Sequence, residues 1–233
     1  MPAPLSIIIP THHSCATLPK TLEALMPGLA SGLIAEVIFC DSGQDPHLAE
    51  LASSAGARLV IREGGRGPQL HAGALAAKAD WFLFLHDDTQ LAPNWAEFTG
   101  ASLHDPDCAY YFKLAFDAEG LAPRWVALWA NWRSRRLGLP YGDQGLLISA
   151  RLYRQIGGYP SDPLMEDVGI ACKLRGKLRP LPVTALTCAA RYEQEGWLRR
   201  STANLWLVAL YFAGVSPQRL STRYRRRQKR KSR

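Results

Sequence analysis

Two pairs of adjacent carboxylates are the residues of this chain best suited to chemistry. Asp87 and Asp88 follow the apolar run WFLFL and His86, and Glu166 and Asp167 open a segment with the apolar spacing of a helix. Adjacent carboxylates after a strand can hold Mg²⁺ or Mn²⁺, which shares its remaining positions with phosphate oxygens and water. A helix N-terminus favours an ionised carboxylate, which is the form that a general base requires.

Each pair also has an interpretation without chemistry. Asp87 and Asp88 fit the start of a following helix, because the segment LAPNW resembles a helix start and carboxylates favour helix N-termini. Glu166 and Asp167 fit the same capping role for their own helix. For each pair taken alone, the capping interpretation stays open.

Short apolar runs alternate with helical segments through the first part of the chain. Strands are predicted at residues 5–9, 36–40, 58–61 and 81–85. Helices are predicted at residues 17–25, 47–55 and 69–78. This alternation is typical of an α/β protein with a parallel sheet covered by helices. Ligands bind beyond the carboxyl ends of such strands, so Asp87 and Asp88 are predicted at the functional edge.

The charge of the chain is concentrated in its last residues. Nine of the 28 basic residues, and no acid, lie at residues 219–233, which leaves 19 basic against 20 acidic residues elsewhere. We therefore expect one globular domain at residues 1–218 and a disordered basic tail at residues 219–233. The 47% hydrophobic composition is that of an ordinary globular protein.

The cysteines and the apolar segments indicate a cytoplasmic protein. The five cysteines are scattered without a CxxC pair, which argues against a disulfide framework and a zinc site. The N-terminal segment MPAPLSIIIP lacks the features of a signal peptide. The apolar window at residues 203–215 is too short to span a bilayer as a helix.

Five segments, which follow one another in the same order and at the same spacing as in that family, resemble the family 2 glycosyltransferases of the GT-A fold. They are LSIIIPT, EVIFCDSGQD, GGRGPQLHAGALAAKADWFLFLHDDT, YGDQGLLISARLYRQIGGYP and LMEDVGIACKLR. The resemblance covers roughly residues 4–224 and is closest to a bacterial subfamily associated with radical-SAM and selenoprotein-related genes. It implies a mostly parallel central sheet flanked by helices, with a helical C-terminal segment.

The resemblance also implies a donor site and a metal. The residues that match the donor site are Pro10, Thr11, Asp41, Arg66, Gln69 and Asp87. Asp88 matches the final aspartate of the DxD-like metal motif, so Mg²⁺ or Mn²⁺ is the implied cofactor. His86 stands at the first position of that motif, which leaves one or two carboxylates for the metal. His12 and His13 stand where the family usually has Asn and then an acid, so the details of base recognition differ.

On the acceptor side, the resemblance makes Asp167 the catalytic base, with Glu166 as its neighbour. The residues that match the acceptor site are Gly142, Asp143, Gln144, Arg191 and Tyr192. One base opposite one leaving group is the geometry of a single displacement, so inversion at the anomeric carbon is expected. Local sequence also permits a hairpin turn at residues 141–145 and a surface ion pair for Arg191.

Two features suggest partners beyond the donor. Trp125, Trp129 and Trp132 share one face of a helix that starts near Pro123, and packing into the core is favoured over a platform for a sugar or a lipid. Each basic residue near an anionic leaflet contributes about 1 kcal/mol, so the tail can hold the protein at the inner face of the plasma membrane, near a lipid-linked acceptor. Nucleic acid is the less favoured partner, and a purely solubilising tail stays an alternative.

The sequence therefore predicts an inverting glycosyltransferase that uses a nucleoside-diphosphate sugar, with a UDP-sugar favoured and the acceptor unidentified. The alternative is a nonenzymatic protein of the same fold that binds a nucleotide sugar, or binds nucleic acid through its tail. A nucleotidyltransferase would have a glycine-rich loop with Lys or Arg after the first strand, where this chain has THHSC.

Overall fold

A mixed eight-stranded sheet forms the centre of the protein. The computed structural model describes residues 3–11, 16–43 and 45–229. The strands are β1 (Leu5–Pro10), β2 (Ile34–Asp41), β3 (Arg58–Ile61), β4 (Trp81–Phe84), β5 (Thr89–Leu91), β6 (Ala109–Phe116), β7 (Leu146–Ser149) and β8 (Leu178–Thr187). They lie in the order β3-β2-β1-β4-β7-β6-β8-β5. The predicted α/β class is confirmed.

Helices cover both faces of this sheet. They are α1 (Leu18–Ala30), α2 (Leu48–Ser54), α3 (Arg66–Ala76), α4 (Trp95–Ser102), α5 (Leu121–Leu137), α6 (Ala150–Gln155), α7 (Glu166–Lys173), α8 (Ala190–Glu195), α9 (Trp197–Phe212) and α10 (Pro217–Lys229). A short 3-10 helix at Gly142–Gln144 precedes β7.

The parallel half of the sheet follows from the apolar runs of the sequence. Strands β3, β2, β1 and β4 pair in parallel, as the alternation of elements predicts. Strand β1 is buried on both faces: Ile7 and Ile9 pack with Phe39 on one side, and Ile8 packs with Ile38 on the other. The carboxyl ends of β1, β2 and β4 therefore meet at one edge.

The other half of the sheet contains antiparallel pairings. Strand β7 runs antiparallel to both β4 and β6, while β8 pairs in parallel with β6 and antiparallel with β5. The capping interpretation of Asp87 and Asp88 is wrong, because strand β5 follows them and α4 begins only at Trp95, with Asn94 at its N-cap position. The carboxylates of Asp87 and Asp88 therefore do not cap a helix.

Two further expectations differ from the structure. Trp125, Trp129 and Trp132 lie on one side of α5 as predicted, but this side is exposed and does not pack into the core. The tail predicted to be disordered from Arg219 onward is helical as far as Lys229. Leu220, which is buried, attaches α10 to the body of the protein. Residues 230–233 of the predicted tail lie outside the described residues.

Among the described helices, none has the length and apolar character for crossing a bilayer.

We expect Gly73→Ala to lower the free energy of unfolding by about 1–3 kcal/mol, because the added methyl group overpacks a tight contact. A Cβ at this position of α3 would collide with the sulfur of Cys40 and with the side chain of Ile8. Urea unfolding of the purified variant measures the loss.

The matched control is Gly100→Ala in α4, where a Cβ meets nothing within 4 Å. This second variant should gain about 0.4–1 kcal/mol, because alanine restricts the unfolded chain more than glycine does. Equal changes in the two variants would show that α3 does not pack against β1 and β2 as closely as described.

Candidate active site

Both pairs of carboxylates line one cleft at the carboxyl edge of the sheet. The cleft has about 1010 Å³ of empty space and is open to solvent. Its charged lining residues around the two pairs are Arg66, Asp87, Asp88, Asp143, Glu166 and Asp167. An adjoining hollow of about 450 Å³ shares Arg66 and His86 with the cleft and also reaches Pro10. Charged residues up to 101 positions apart in the sequence, Arg66 and Asp167, thus line one concave site.

The turn that carries Asp87 and Asp88 is fixed through its backbone. The Leu85 N–H donates to the carbonyl of Ile8 at 3.1 Å, and the Thr21 hydroxyl donates to the Asp87 carbonyl at 2.9 Å. At Asp88, the carbonyl accepts from the Cys188 N–H at 3.1 Å. These bonds are made to backbone oxygens, so none of the three involves a carboxylate of the pair.

The segments that bear the two pairs meet at Gly142. The Gly142 N–H donates to Oδ2 of Asp167 at 3.2 Å, and the Val168 N–H donates to Oδ1 of the same carboxylate at 2.8 Å. A Cβ at position 142 would collide with the His86 ring, so only glycine permits this approach. The residue before the acidic pair, Met165, has a φ of 68°, a left-handed conformation that is unusual for a side chain of this size.

Arg66 is the cation at the centre of this acidic site. It begins α3, and its Nη1 lies 3.7 Å from Oε1 of Glu166. Burial lowers the pKa of Arg66, but the surrounding carboxylates offset this and raise the pKa above its ordinary value. Arg66 therefore carries a permanent positive charge opposite the acids of both pairs.

The two acids of the α7 pair have different surroundings. Glu166 is buried, and this burial, together with the charge of Asp167, raises the pKa of Glu166 to about 7 despite the nearby Arg66. Burial thus opposes the helix N-terminus, which favours the ionised carboxylate, and makes Glu166 easier to protonate. Asp167 is less buried and lines the cleft.

The loop before β7 contributes one acid to the cleft and one amide to the interior. Burial raises the pKa of Asp143 to about 6, with the charge of Arg133 opposing this shift and those of Asp167 and Asp88 supporting it. Its Oδ1 is buried and has no hydrogen-bond partner among the described residues. The loop is thus a second place in the cleft where a proton is easily held or lost near neutral pH.

Gln144 does not line the cleft, in contrast to its predicted place in the acceptor site. Its side chain is fully buried, accepts from the Ser134 hydroxyl at 2.5 Å and donates to the Phe112 carbonyl at 3.1 Å. Arg133, which stacks over the Tyr141 ring at 3.3 Å, joins the same network. The amide positions the loop from below, because all of these partners belong to α5, β6 and the loop itself.

The predicted nucleoside residues lie at the same edge of the sheet, beside the cleft. Thr11 and Asp41 end the neighbouring strands β1 and β2, and the Thr11 hydroxyl donates to Oδ1 of Asp41 at 3.2 Å. Both side chains are buried, as is Gln69 in α3, and none of the three is among the lining residues of the cleft. His12 and His13, which follow Thr11, lie outside the described residues.

Helices α8 and α9 form the wall of the cleft on its other side. Arg191 and Tyr192 line it, and the Tyr192 ring stacks on Trp197 at 4.9 Å. Sequence reasoning missed Arg200 and Asn204, which line the same wall. Their spacing with two apolar lining residues, Leu207 and Val208, is that of one helix face, and this signal is present in the sequence.

The family of the chain follows from comparison with known proteins. Residues 6–145 match the model of a family described as glycosyl transferase family 2. The chain belongs to this family. It is also 33% identical over 96 residues to a protein of Haemophilus influenzae described as an uncharacterized glycosyltransferase, a match that covers 40% of this chain and 32% of that protein.

Solved glycosyltransferase structures confirm the predicted GT-A fold. The TM-score is 0.60 with Staphylococcus aureus TarS 1–349 in complex with UDP-GlcNAc, at 14% identity over 79% of this chain and 58% of that one. The TM-score is also 0.60 with GalNAc-T7 bound to UDP, GalNAc and Mn²⁺, at 17% identity over 79% of this chain and 44% of that one. With the mannosyltransferase PcManGT of Pyrobaculum calidifontis in complex with GDP-Man and Mn²⁺, the TM-score is 0.58, at 14% identity over 78% of this chain and 56% of that one. The family 2 chain thus spans less than two thirds of each of these relatives.

The oxygen atoms that the cleft offers around Asp88 suit a divalent cation such as Mg²⁺, which would also bind the phosphates of a substrate. Asp88 offers carboxylate oxygens with Asp87 beside it, and the Thr187 hydroxyl donates to Oδ1 of Asp88 at 3.4 Å. In the described part of the chain, no three or more His, Cys, Asp or Glu side chains gather around a metal position. Mg²⁺ typically binds one or two carboxylates together with substrate phosphates, so the residues present fit such a site.

We expect the free energy of unfolding of Glu166→Gln, relative to that of the wild type, to be higher at about pH 8 than at about pH 5. The pKa of Glu166 rises from an ordinary 4.5 to about 7 on folding, so the wild type loses stability as the pH rises from about 4.5 to 7. Glutamine does not titrate and should avoid a loss on the order of 2 kcal/mol.

Urea unfolding at both pH values measures this difference. The control is Glu119→Gln, which replaces an exposed glutamate of the loop before α5 and should show the same small effect at both pH values. If Glu166→Gln changed stability equally at both pH values, the buried Glu166 would not be the group that titrates.

Proposed function

We propose that this chain transfers a sugar from a nucleoside-diphosphate sugar to an acceptor hydroxyl, with inversion at the anomeric carbon. The observation that carries the proposal is the shared cleft of Asp88 and Asp167, with the permanent cation Arg66 in its lining. Membership of family 2 and the GT-A fold support the same reaction class. A binding protein would not require a carboxylate that two backbone N–H groups hold at the cleft.

The proposed donor is a UDP-sugar. TarS and GalNAc-T7, which share the fold, bind UDP-GlcNAc and UDP in their structures, while PcManGT binds GDP-Man. In this chain, Thr11 and Asp41 end adjacent strands beside the cleft and provide the polar groups that a base or a ribose needs.

The leaving diphosphate is stabilised by positive charge on the donor side. Arg66 lies at the N-terminus of α3, where free N–H groups add to the attraction for a phosphate. Asp88, with Asp87 beside it, would hold Mg²⁺ or Mn²⁺, which acts as a Lewis acid on the diphosphate when bound. Glu166 orients Arg66 from behind through its 3.7 Å contact.

We assign the activation of the attacking hydroxyl to the carboxylate of Asp167, which lines the same cleft. Asp167 accepts the hydroxyl proton while the oxygen bonds to the anomeric carbon and the bond from that carbon to the diphosphate oxygen breaks. Two backbone N–H groups fix the carboxylate for this role. A general base of this kind contributes about 10²–10⁴-fold. Because the chain provides one base opposite one leaving group, the configuration inverts.

The acceptor enters beside the loop before β7 and the α8 wall. Gly142, Asp143, Arg191 and Tyr192 line this part of the cleft, and they are the proposed acceptor contacts. The aromatic surface of Tyr192 is rigid, because the ring is stacked on Trp197, and such surfaces suit the apolar face of a sugar or an isoprenoid.

Two finer assignments belong to the proposal. We place the protein in the cytoplasm, because the four cysteines in the described part of the chain, at positions 40, 108, 172 and 188, are free. We also place it in the radical-SAM-associated subfamily, on the His86-Asp87-Asp88 order of its metal motif. The family match itself supports the broader family.

Asp167→Asn should lower kcat for sugar transfer about 10²–10⁴-fold while leaving donor binding nearly unchanged, because the amide cannot take up the proton. Release of the nucleoside diphosphate from candidate UDP-sugars measures turnover, and NMR of the first product formed reads the anomeric configuration. Retained activity in the variant, or a product with retained configuration, would contradict the assigned role of Asp167.

Asp88→Ala should abolish the increase in donor affinity that Mn²⁺ produces in the wild type. Thermal shift with UDP, GDP, CDP and dTDP sugars, with and without the metal, measures this coupling. The matched control is Asp80→Asn, an exposed aspartate at the opposite end of β4 that should behave as the wild type. If the wild type bound nucleotide sugars but did not turn them over with any acceptor or water, the nonenzymatic alternative would stand.

A further inference from the structure

Helix α5 presents a stripe of large apolar side chains to water. Trp125 is 70% exposed, and Trp129 and Trp132 are 46% and 47% exposed. The rings of Trp129 and Trp132 stack on each other at 5.0 Å, and Leu121 and Leu128 extend the stripe along the helix. An exposed apolar patch of this kind marks a surface that meets another apolar phase or a partner.

Helix α9, which packs against α5, has two different sides. One side lines the cleft with Arg200, Asn204, Leu207 and Val208. The large side chains of the opposite side are exposed, and they are Leu198, Leu205, Trp206 and Phe212. Although more than half of its residues are apolar, none of the residues of α9 is buried. This helix therefore separates the cleft from a second exposed apolar surface.

The exposed charged side chains described on these three helices have one sign. They are Arg124, Arg135 and Arg136 of α5, Arg199 of α9, and Arg219 and Arg223 of α10, which packs against α9. The sequences of these three helices contain no Asp or Glu. Exposed tryptophans, leucines and only positive charge thus occur together on neighbouring helices.

We propose that α5, α9 and α10 form a docking surface for an anionic phospholipid bilayer. Tryptophan is suited to the boundary between headgroups and acyl chains because its ring is apolar and its N–H is polar. Leucine and phenylalanine enter the acyl region, and arginines pair with lipid phosphates. The three helices bind at the surface and do not cross the bilayer, in agreement with their length and polarity.

Other occupants match the charge or the apolar groups, but not both. A second copy of this chain on the same surface would bring two sets of arginines together without an acidic partner in the three helices. Nucleic acid would satisfy the arginines, but Leu198, Leu205 and Phe212 would have no role in binding a phosphate backbone. An anionic bilayer uses both components, because its headgroups attract the arginines and its acyl region accepts the apolar side chains.

The consequence for the reaction rests on the proposed function. If α9 lies on a bilayer, its other side forms a wall of the cleft only one helix diameter, about 10 Å, from the headgroups. The acceptor that best fits such a cleft is a hydroxyl group carried by a membrane lipid. Membrane binding itself does not depend on turnover, so the two claims can fail separately.

The test is co-sedimentation of the full chain with vesicles of phosphatidylcholine alone or of phosphatidylcholine with phosphatidylglycerol. We expect binding to the anionic vesicles and a blue shift of the tryptophan emission as the rings leave water. The triple variant Trp125→Gln, Trp129→Gln, Trp132→Gln should bind at least about tenfold more weakly. The control triple variant Met26→Gln, Leu29→Gln, Leu75→Gln, which changes exposed apolar residues of α1 and α3, should bind as the wild type.

A second pair of variants tests the charge. Arg135→Gln with Arg136→Gln should weaken binding to anionic vesicles, and Arg154→Gln with Arg175→Gln, exposed arginines elsewhere, should not. The proposal is overturned if the wild type shows no preference for anionic vesicles or if the tryptophan and control triples bind equally. It is also overturned if the wild type is a dimer and the tryptophan triple variant is a monomer, since the surface would then bind a second copy of the chain.

Hydrolysis of a soluble donor by the same variants separates this claim from the proposed function. Because the tryptophans lie outside the cleft, the triple variant should hydrolyse the donor at the wild-type rate while losing vesicle binding. Thermal melting of each variant verifies that it is folded. A wild type that binds vesicles but never uses a nucleotide sugar would contradict the proposed function and leave the docking surface intact.

Discussion

The hydrogen bond from the Gly142 N–H to the Asp167 carboxylate is the contact on which the site depends. It joins the loop before β7 to the first turn of α7, and the His86 ring at the end of β4 lies directly against the same glycine. Three segments that are far apart in the sequence thereby share one point of close approach. A side chain at position 142 would separate them and move the acid of α7 away from the acids that follow β4.

This convergence assembles an electrostatic arrangement that is costly to bury. Four carboxylates raise the pKa of Arg66 against the effect of its burial, so the cation is held in place by charges from both sides of the cleft. Glu166 tolerates the same environment by becoming easier to protonate, whereas Asp167 receives two backbone N–H bonds. Both adjacent acids line the cleft, but they have different properties because Glu166 is buried and Asp167 is only partly buried.

The parallel half of the fold could be predicted from the sequence because its signals are local. Each of the first four strands is a short apolar run, and β1 and β4 are buried on both faces. Strand β5 could not be predicted, because three residues acquire strand geometry only by pairing with β8, about 100 residues later in the chain. The cleft itself followed from the rule that parallel strands end at a common edge, which placed Asp87 and Asp88 there.

The spacing of apolar residues along the sequence shows which of them lie on the same side of a helix, but not whether that side faces the core or water. Trp125, Trp129 and Trp132 have the spacing of a core stripe, yet they face water, since burial depends on which elements pack beside α5. Gln144 was expected in the acceptor site because it matches that position of the family, and only the positions of Ser134 and Phe112 show that its amide points inward. In both cases the missing information is tertiary packing.

The most direct test of the central claim is a crystal structure of the protein with Mn²⁺ and a non-hydrolysable UDP-sugar. We predict the cation within about 2.2 Å of an Asp88 carboxylate oxygen, with the sugar between the diphosphate and Asp167. The side of the anomeric carbon opposite the diphosphate should then be open to a hydroxyl within hydrogen-bond reach of Asp167, about 3 Å. A donor bound elsewhere, or a sugar turned away so that Asp167 faces no reacting atom, would contradict the central claim.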